Sequence, residues 1–320
     1  MGYGVGGYIS LSKQTTFGTA TTNRSYIPFV SESLTENVEQ LESENLTGKF
    51  DAPDNLEGIN NVTGDIAFEP TPTTIGTFLR ACLGANPTST LVTSTYLHEF
   101  LPAQTDFSAD CALPPYTIEI YKSVGSAYQI IDGQIHTLTI EMNAGEIIKS
   151  TATVHGRAYG KIAKQTPAYS PAPSLTWNQT SVQIAGAANG EFRTAVLTIE
   201  NPIEGVMTLN GSLNEGKLKR SGFRNITVAG DQDFSSQLQE GKFRDQSRQA
   251  FKFTITGDVV GTASEKNQLI LDLPQVNYTT FAYPIGGPGL ITASYEGKAE
   301  YYTTSSYVGR FTLQNTQTSY

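Results

Sequence analysis

A glycine-rich start, three histidines and two cysteines are the residues of this chain whose types could do chemistry. Gly2, Gly4 and Gly7 match the spacing of a dinucleotide-binding loop. That loop works only after a strand and before a helix, with an acidic residue further on, so that a pyrophosphate can rest on the helix N-terminus. Here Tyr8-Ile9-Ser10-Leu11 reads as extended, and the glycines read as a flexible terminus. His98, His136 and His155 lie far apart and outside any metal-ligand spacing. They read as exposed polar strand residues, His136 and His155 on the wet faces of predicted strands. Cys82 falls on the apolar face of a predicted helix and reads as packing. With Cys111 it makes too few cysteines for a disulfide scaffold, so both are expected as reduced thiols. No Gly-x-Ser-x-Gly elbow occurs. A glycosidase carboxylate pair would show only in three dimensions. The acidic residues, however, concentrate in one stretch and not at strand ends. The expectation is no catalytic residue, no metal site and no cofactor.

That acidic stretch is informative. Residues Val30 to Gly64 hold Glu32, Glu36, Glu39, Glu42, Glu44, Asp51, Asp54 and Glu57 against Lys49 alone. A second stretch, Asn210 to Asn225, carries Lys217, Lys219, Arg220 and Arg224 against Glu215 alone. One acidic and one basic loop suit a surface that meets a copy of itself head to tail. Two solvated loops of uneven charge are the plainer alternative.

The elements that must position these residues are mostly strands. Leu138, Ile140 and Met142 alternate with Thr137, Thr139 and Glu141. Ile148, Ala152 and Val154 share one face, and Lys149, Thr151 and Thr153 the other. Phe251, Phe253 and Ile255 alternate with Lys252, Thr254 and Thr256, and Ala293, Tyr295, Ala299 and Tyr301 with Ser294, Glu296, Lys298 and Glu300. Each run reads as an antiparallel strand with one buried and one wet face. One helix stands out over 72–83, where Ile75, Phe78, Leu79, Cys82 and Leu83 fall on one stripe. Thr71 is placed to cap it, Pro72 to open it and Gly84 to end it.

Thr166 to Ser174, rich in Pro, Ala and Ser, reads as a linker between units 1–165 and 175–320. The two sides look alike. Asn61-Val-Thr-Gly-Asp65 and the helix precede strands ending Thr153-Val-His-Gly-Arg-Ala158. Asn225-Ile-Thr-Val-Ala-Gly-Asp231 and a short helical candidate at Asp233 to Glu240 precede strands ending Ser294-Tyr-Glu-Gly-Lys-Ala299. The order reads as a diverged tandem duplication.

Composition narrows the class. Only 16% of residues are charged, the net charge is −9, and Tyr and Phe number 16 and 15. Such a chain suits sheets with polar, uncharged faces, and it lacks the clustered Lys and Arg of a nucleic-acid binder. The N-terminus has neither the basic region nor the apolar core of a signal peptide. No apolar run approaches the ~18 residues of a membrane span.

Ser10-x-x-Lys-Gln-Thr-Thr-Phe-Gly-Thr-Ala20, Tyr26-Ile-Pro-Phe-Val-Ser-Glu-Ser-Leu34, Glu42-Ser-Glu-Asn-Leu-Thr-Gly48 and Asn61-Val-Thr-Gly-Asp-Ile-Ala-Phe-Glu69 precede the helix ending Leu83-Gly84. Leu197-Thr-Ile-Glu-Asn201, Leu271-Asp-Leu-Pro274 and Phe311-Thr-Leu-Gln-Asn315 follow in the second half. In this order, over most of the chain, the sequence resembles the tail tube proteins of long-tailed bacteriophages. The resemblance implies an all-β fold with a minor helix, made of tandem β-sandwich units whose sheets join into a ring-shaped inner β-barrel on oligomerisation. It implies a virion protein made in the host bacterial cytoplasm, stacked as rings into a tube that conducts DNA without specific binding. Its partners would be itself, the tape-measure protein and tail-end proteins. On this view Glu36, Glu39, Glu42, Glu44, Asp51, Asp54 and Glu57 would meet Lys217, Lys219, Arg220 and Arg224 between rings, and Glu141, Glu296 and Glu300 would line the lumen. Two units per chain favour trimeric rings with pseudo-sixfold symmetry over hexamers. The competing reading is a secreted or surface β-sandwich binding module, an adhesin or carbohydrate-binding domain.

Overall fold

The alternating runs become strands, and the predicted helix packs against them. The computed structural model describes residues 2–51, 53–260 and 264–320. The first half contains β1 (Tyr8–Lys13), β2 (Tyr26–Ile27), β3 (Ser31–Glu32), β4 (Thr35–Leu41), β5 (Leu56–Phe68), α1 (Ile75–Leu83), β6 (Thr88–Val92), β7 (Thr95–Phe100), β8 (Tyr116–Tyr121), β9 (Ala127–Asn143), β10 (Lys149–Gly156) and β11 (Ala158–Ile162). The second contains β12 (Thr180–Ile184), β13 (Ala187–Asn189), β14 (Phe192–Glu200), β15 (Ile203–Val206), β16 (Lys217–Arg220), β17 (Asn225–Asp233), α2 (Leu238–Arg244), β18 (Gln249–Val260), β19 (Glu265–Ala282), β20 (Thr292–Ala299) and β21 (Arg310–Asn315).

One antiparallel sheet crosses both halves in the order β4, β5, β10, β9, β14, β17, β20, β19, with β3 continuing the edge strand β4. Two long strands change partners along their length. β9 pairs with β8 and β11 near its start and with β10 and β14 near its end. β19 pairs with β18 and β21 near its start and with β20 near its end. β1 extends the sheet beyond β8, and β12 does so beyond β18. The same order of pairings therefore occurs twice. Even the bulges agree: the ladders shift beside Gly133 and again between Ile135 and Thr137 in β9, and beside Val276 and between Tyr278 and Thr280 in β19. Two hairpins are additions, β6–β7, which joins β21, and β15–β16.

The packing face of the crossing sheet is apolar and belongs to one core spanning both halves. Leu138, Ile140, Leu197, Ile199, Ile226 and Val228 are each at most 1% exposed, and burial of such side chains stabilises by roughly 1.5–3 kcal/mol apiece. α1 lies beneath, with the Phe78 ring stacked on Phe68 at 4.0 Å. The helix begins three residues later than the sequence suggests, because Thr71 closes a turn instead: its hydroxyl accepts from the Thr74 N–H at 3.2 Å and its carbonyl from that of Ile75. Gly84 ends the helix at φ 80°, a left-handed position that glycine takes without strain. α2 likewise starts later than the Asp233 to Glu240 expected, since Asp233 still pairs with Thr292.

The acidic stretch is not a loop. β4 and β5 pair from Thr35↔Thr63 to Leu41↔Leu56 and form a β-hairpin arm. Every residue of β4 is exposed, so no apolar alternation betrays it.

Candidate functional site

The sheet that crosses both halves has an open face. Its rows run across strands, and one joins Ala67, Thr151, Thr139, Thr198, Thr227 and Lys298. The next joins Lys149, Glu141, Val196, Ala229, Glu296 and Thr280. Glu141 and Glu296, far apart in sequence, therefore stand in a single row. Glu300 does not stand free with them. Its carboxylate accepts from Arg248 at 2.9 Å and Gln275 at 3.1 Å beyond the end of β20, and Arg248 holds it below the usual carboxylate range. These two rows carry five threonines, the small or apolar Ala67, Val196 and Ala229, and two charges of each sign, Lys149 and Lys298 with Glu141 and Glu296, so no cluster of cations is present to grip phosphate.

Two edges bound this sheet. Among the described residues, the outer side of β3–β4 and the outer side of β19 beyond Val276 pair with no strand. The first edge is blunted by side chains. Glu32 accepts from the Leu34 N–H at 2.9 Å, and the Lys122 ammonium donates to the Leu34 carbonyl at 3.4 Å. Glu32 and Lys122 pair with each other at 3.0 Å.

The arm carries Glu36 and Glu39 on β4 and Glu57 on β5, with Glu42, Glu44, Asp51 and Asp54 in the connection. All seven are exposed, and none makes a salt bridge among the described residues. The basic residues are differently placed. Lys217 pairs with Asp110, Lys219 and Arg220 with Asp106, and Arg224 donates to Asn201 and to the Ala103 carbonyl. Burial, with Arg220 nearby, pulls the Arg224 guanidinium down to about 10. These four hold β16 and the start of β17 to residues 103–110.

Sequence reasoning missed the anchor of the arm. Glu215, 5% exposed, accepts from Asn61 at 3.1 Å and lies 2.7 Å from His155. Asn61 and His155 stand on β5 and β10, so Glu215 fastens the β15–β16 hairpin to the root of the arm. His98 is fully buried between Ser89, Asn315 and the Gln317 carbonyl, not exposed. Cys82 is buried under the sheet, and burial pushes its thiol up to about 12. Among the described residues no group of three or more His, Cys, Asp or Glu could hold a metal ion, and no helix is long and apolar enough to cross a membrane.

A hydroxyl-rich open face between two unpaired strand edges is the geometry of a β-sheet subunit that assembles with others. A model of the phage tail tube protein family matches residues 4–299, and the chain belongs to that family. No curated protein matches it. Membership makes it a structural protein of the virion tail that self-associates into a tube.

Proposed function

We propose that the chain is a tandem duplication, with units 1–165 and 175–320 joined by the 166–174 linker, and that three chains close a ring of six units. The supporting observation is the seam between β9 and β14. There the end of the first unit's sheet pairs with the start of the second unit's from Thr194↔Asn143 to Glu200↔Thr137. The two free edges, β3–β4 and the end of β19, are the counterparts of β14 and β9. Pairing them between copies repeats the seam and removes both edges, as ring closure does in any barrel.

Each chain brings eight strands to the crossing sheet. Three chains give about 24, and at ~4.8 Å spacing and about 40° tilt the barrel is roughly 45–50 Å across its backbone, wide enough for a DNA duplex. The open face would line this lumen, Glu141 and Glu296 repelling phosphate so that DNA and the tape-measure protein slide. The acidic arm would reach the neighbouring ring, with catalysis playing no part. Image averaging of a tube cross-section tests the reading. Three full-length chains showing six similar sectors are expected, and six full-length chains per ring would sink it.

A further inference from the structure

Two clefts lie at corresponding places, and only one is complete. The seam cleft, about 640 Å³, is walled on one side by Trp177, Asn178, Thr194, Ala195 and Phe253, and on the other by Met142, Asn143 and Ala144 from the end of β9. A cleft of about 630 Å³ at the free edge is walled by Gly4, Val5, Ser31, Glu32 and Ile120. The pairings put these residues in the positions of the first wall. Both groups combine a 3-10 turn before the first strand of the half, the edge strand of the crossing sheet and the strand beside the first. The edge cleft is lined further by Phe29, Lys122 and Tyr169, and by nothing equivalent to Met142, Asn143 and Ala144.

The matching bulges identify what is missing. They place Ile285, Gly286 and Gly287 where Met142, Asn143 and Ala144 stand, and Leu290 where Ile147 stands. In the seam the turn after β9 is fixed by its neighbour. Ala144 N–H donates to the Arg193 carbonyl at 2.9 Å, Ile147 bridges Thr176, and Trp177 N–H donates to the Glu146 carbonyl. The turn after β19 has no such neighbour: Ile285 is 77% exposed and Leu290 83%. The edge cleft offers Val5 and Val30, exposed by 97% and 67%, and Tyr3, next to Gly4 in the chain, is 71% exposed. Both sides thus hold large apolar side chains open to solvent in the single chain.

We propose that the turn Ile285–Leu290 of one copy docks into the cleft beside β3 of the next copy, Leu290 against Tyr3 and Ile285 beside Glu32. This rests on the ring reading above and specifies its interface. Docking brings β19 alongside β3–β4 in the seam's register, Ala282 opposite Thr35 and Tyr283 opposite Leu34. The backbone of Tyr283 then takes the positions that Glu32 and Lys122 occupy at Leu34. The same step covers the flank of α2, where Leu238 is 63% exposed, as α1 is covered beneath the seam.

Paired cysteines test this in the full-length chain, whose own Cys82 and Cys111 are buried. Tyr3→Cys with Leu290→Cys reports docking, and Thr35→Cys with Ala282→Cys reports edge pairing. Under oxidation both pairs should give disulfide-linked multimers in assembled material, and none of the four single variants should do so efficiently. If the edge pair links and Tyr3→Cys/Leu290→Cys does not, docking is wrong and ring closure stands. If neither links, both fail. Leu290→Asp should leave thermal unfolding of the monomer unchanged and cut the assembled fraction by about tenfold or more, because an apolar contact is replaced by a buried charge. Assembly at the original yield would overturn the proposal.

Discussion

Thr139 and Thr198 face each other across the seam with their hydroxyls 3.5 Å apart, at the middle of a sheet drawn from both halves of the chain. Beneath them Leu197 pairs with Ile140, and both are fully buried. Asn201, at the end of the same edge, donates to the Cys82 carbonyl at 2.9 Å and accepts from Arg220 and Arg224. The halves share a core here and do not merely touch.

Leu197→Ala should therefore destabilise the whole chain, by about 2–5 kcal/mol for a leucine-sized cavity that cannot collapse. Trp177, the single tryptophan, lines the cleft at the seam and reports on it by fluorescence. Its urea midpoint should coincide with that of far-ultraviolet circular dichroism in both wild type and variant. Separate midpoints would show that the halves unfold independently.

The arm should be dispensable for folding and needed for stacking. Residues 44–55 lie beyond the last arm pairs, Gln40↔Glu57 and Leu41↔Leu56. Deleting them leaves Glu42 and Ser43 to close the hairpin as a two-residue turn. The thermal midpoint should change little, while electron microscopy should show rings without long tubes. Long tubes from the deletion variant would remove the arm from the stacking contact.

Much of this fold is legible in the sequence, and the gaps have physical causes. Strands with one buried face announce themselves, as Leu138, Ile140 and Met142 do, because burial imposes period two. β4 is bare on both faces and so reads as loop. The Asn61-Val-Thr and Asn225-Ile-Thr matches fall at equivalent ladder positions, Thr63 opposite His155 and Thr227 opposite Lys298. The second match slips: the bulges set Gly297 level with Val154, not with Gly156. Lys217, Lys219, Arg220 and Arg224 read as a free basic loop because their partners, Asp106, Asp110 and Asn201, lie elsewhere in the chain. The burial of His98 likewise depends on Asn315 and Gln317. Pairings set by tertiary contact leave no local signal.

Glu215 should couple to Gly205 as well as to Asn61 and His155. A Cβ at Gly205 would lie 2.0 Å from the Glu215 carboxyl, with the carboxyl itself nearly buried. Glu215→Ala should cost about 1–3 kcal/mol by leaving buried polar groups unpaired. Gly205→Ala should be strongly destabilising alone and much less so beside Glu215→Ala. A thermodynamic cycle over the four proteins measures this, and additive effects would show that the close approach is not what requires glycine.

The row holding Glu141 and Glu296 supplies the test of the lumen. Both are on the open face, away from the apolar core, so Glu141→Lys and Glu296→Lys should leave folding and assembly intact. Each change replaces a repelling charge with one that contacts phosphate, and a ring of three chains repeats it three times per layer of the tube. Open-ended tubes of the double variant should retain short duplex DNA at low salt and release it steeply as salt rises, since each phosphate contact adds a counterion-release step to the salt dependence. Wild-type tubes should retain little under the same conditions. Location is checked independently with Glu296→Cys: a bulky, charged thiol reagent added outside end-capped tubes should label it slowly, and the same reagent should label open or dissociated material fast. Equal labelling rates in capped and dissociated samples would put this face on the outside of the tube, and the DNA-retention result would then have to arise from the exterior.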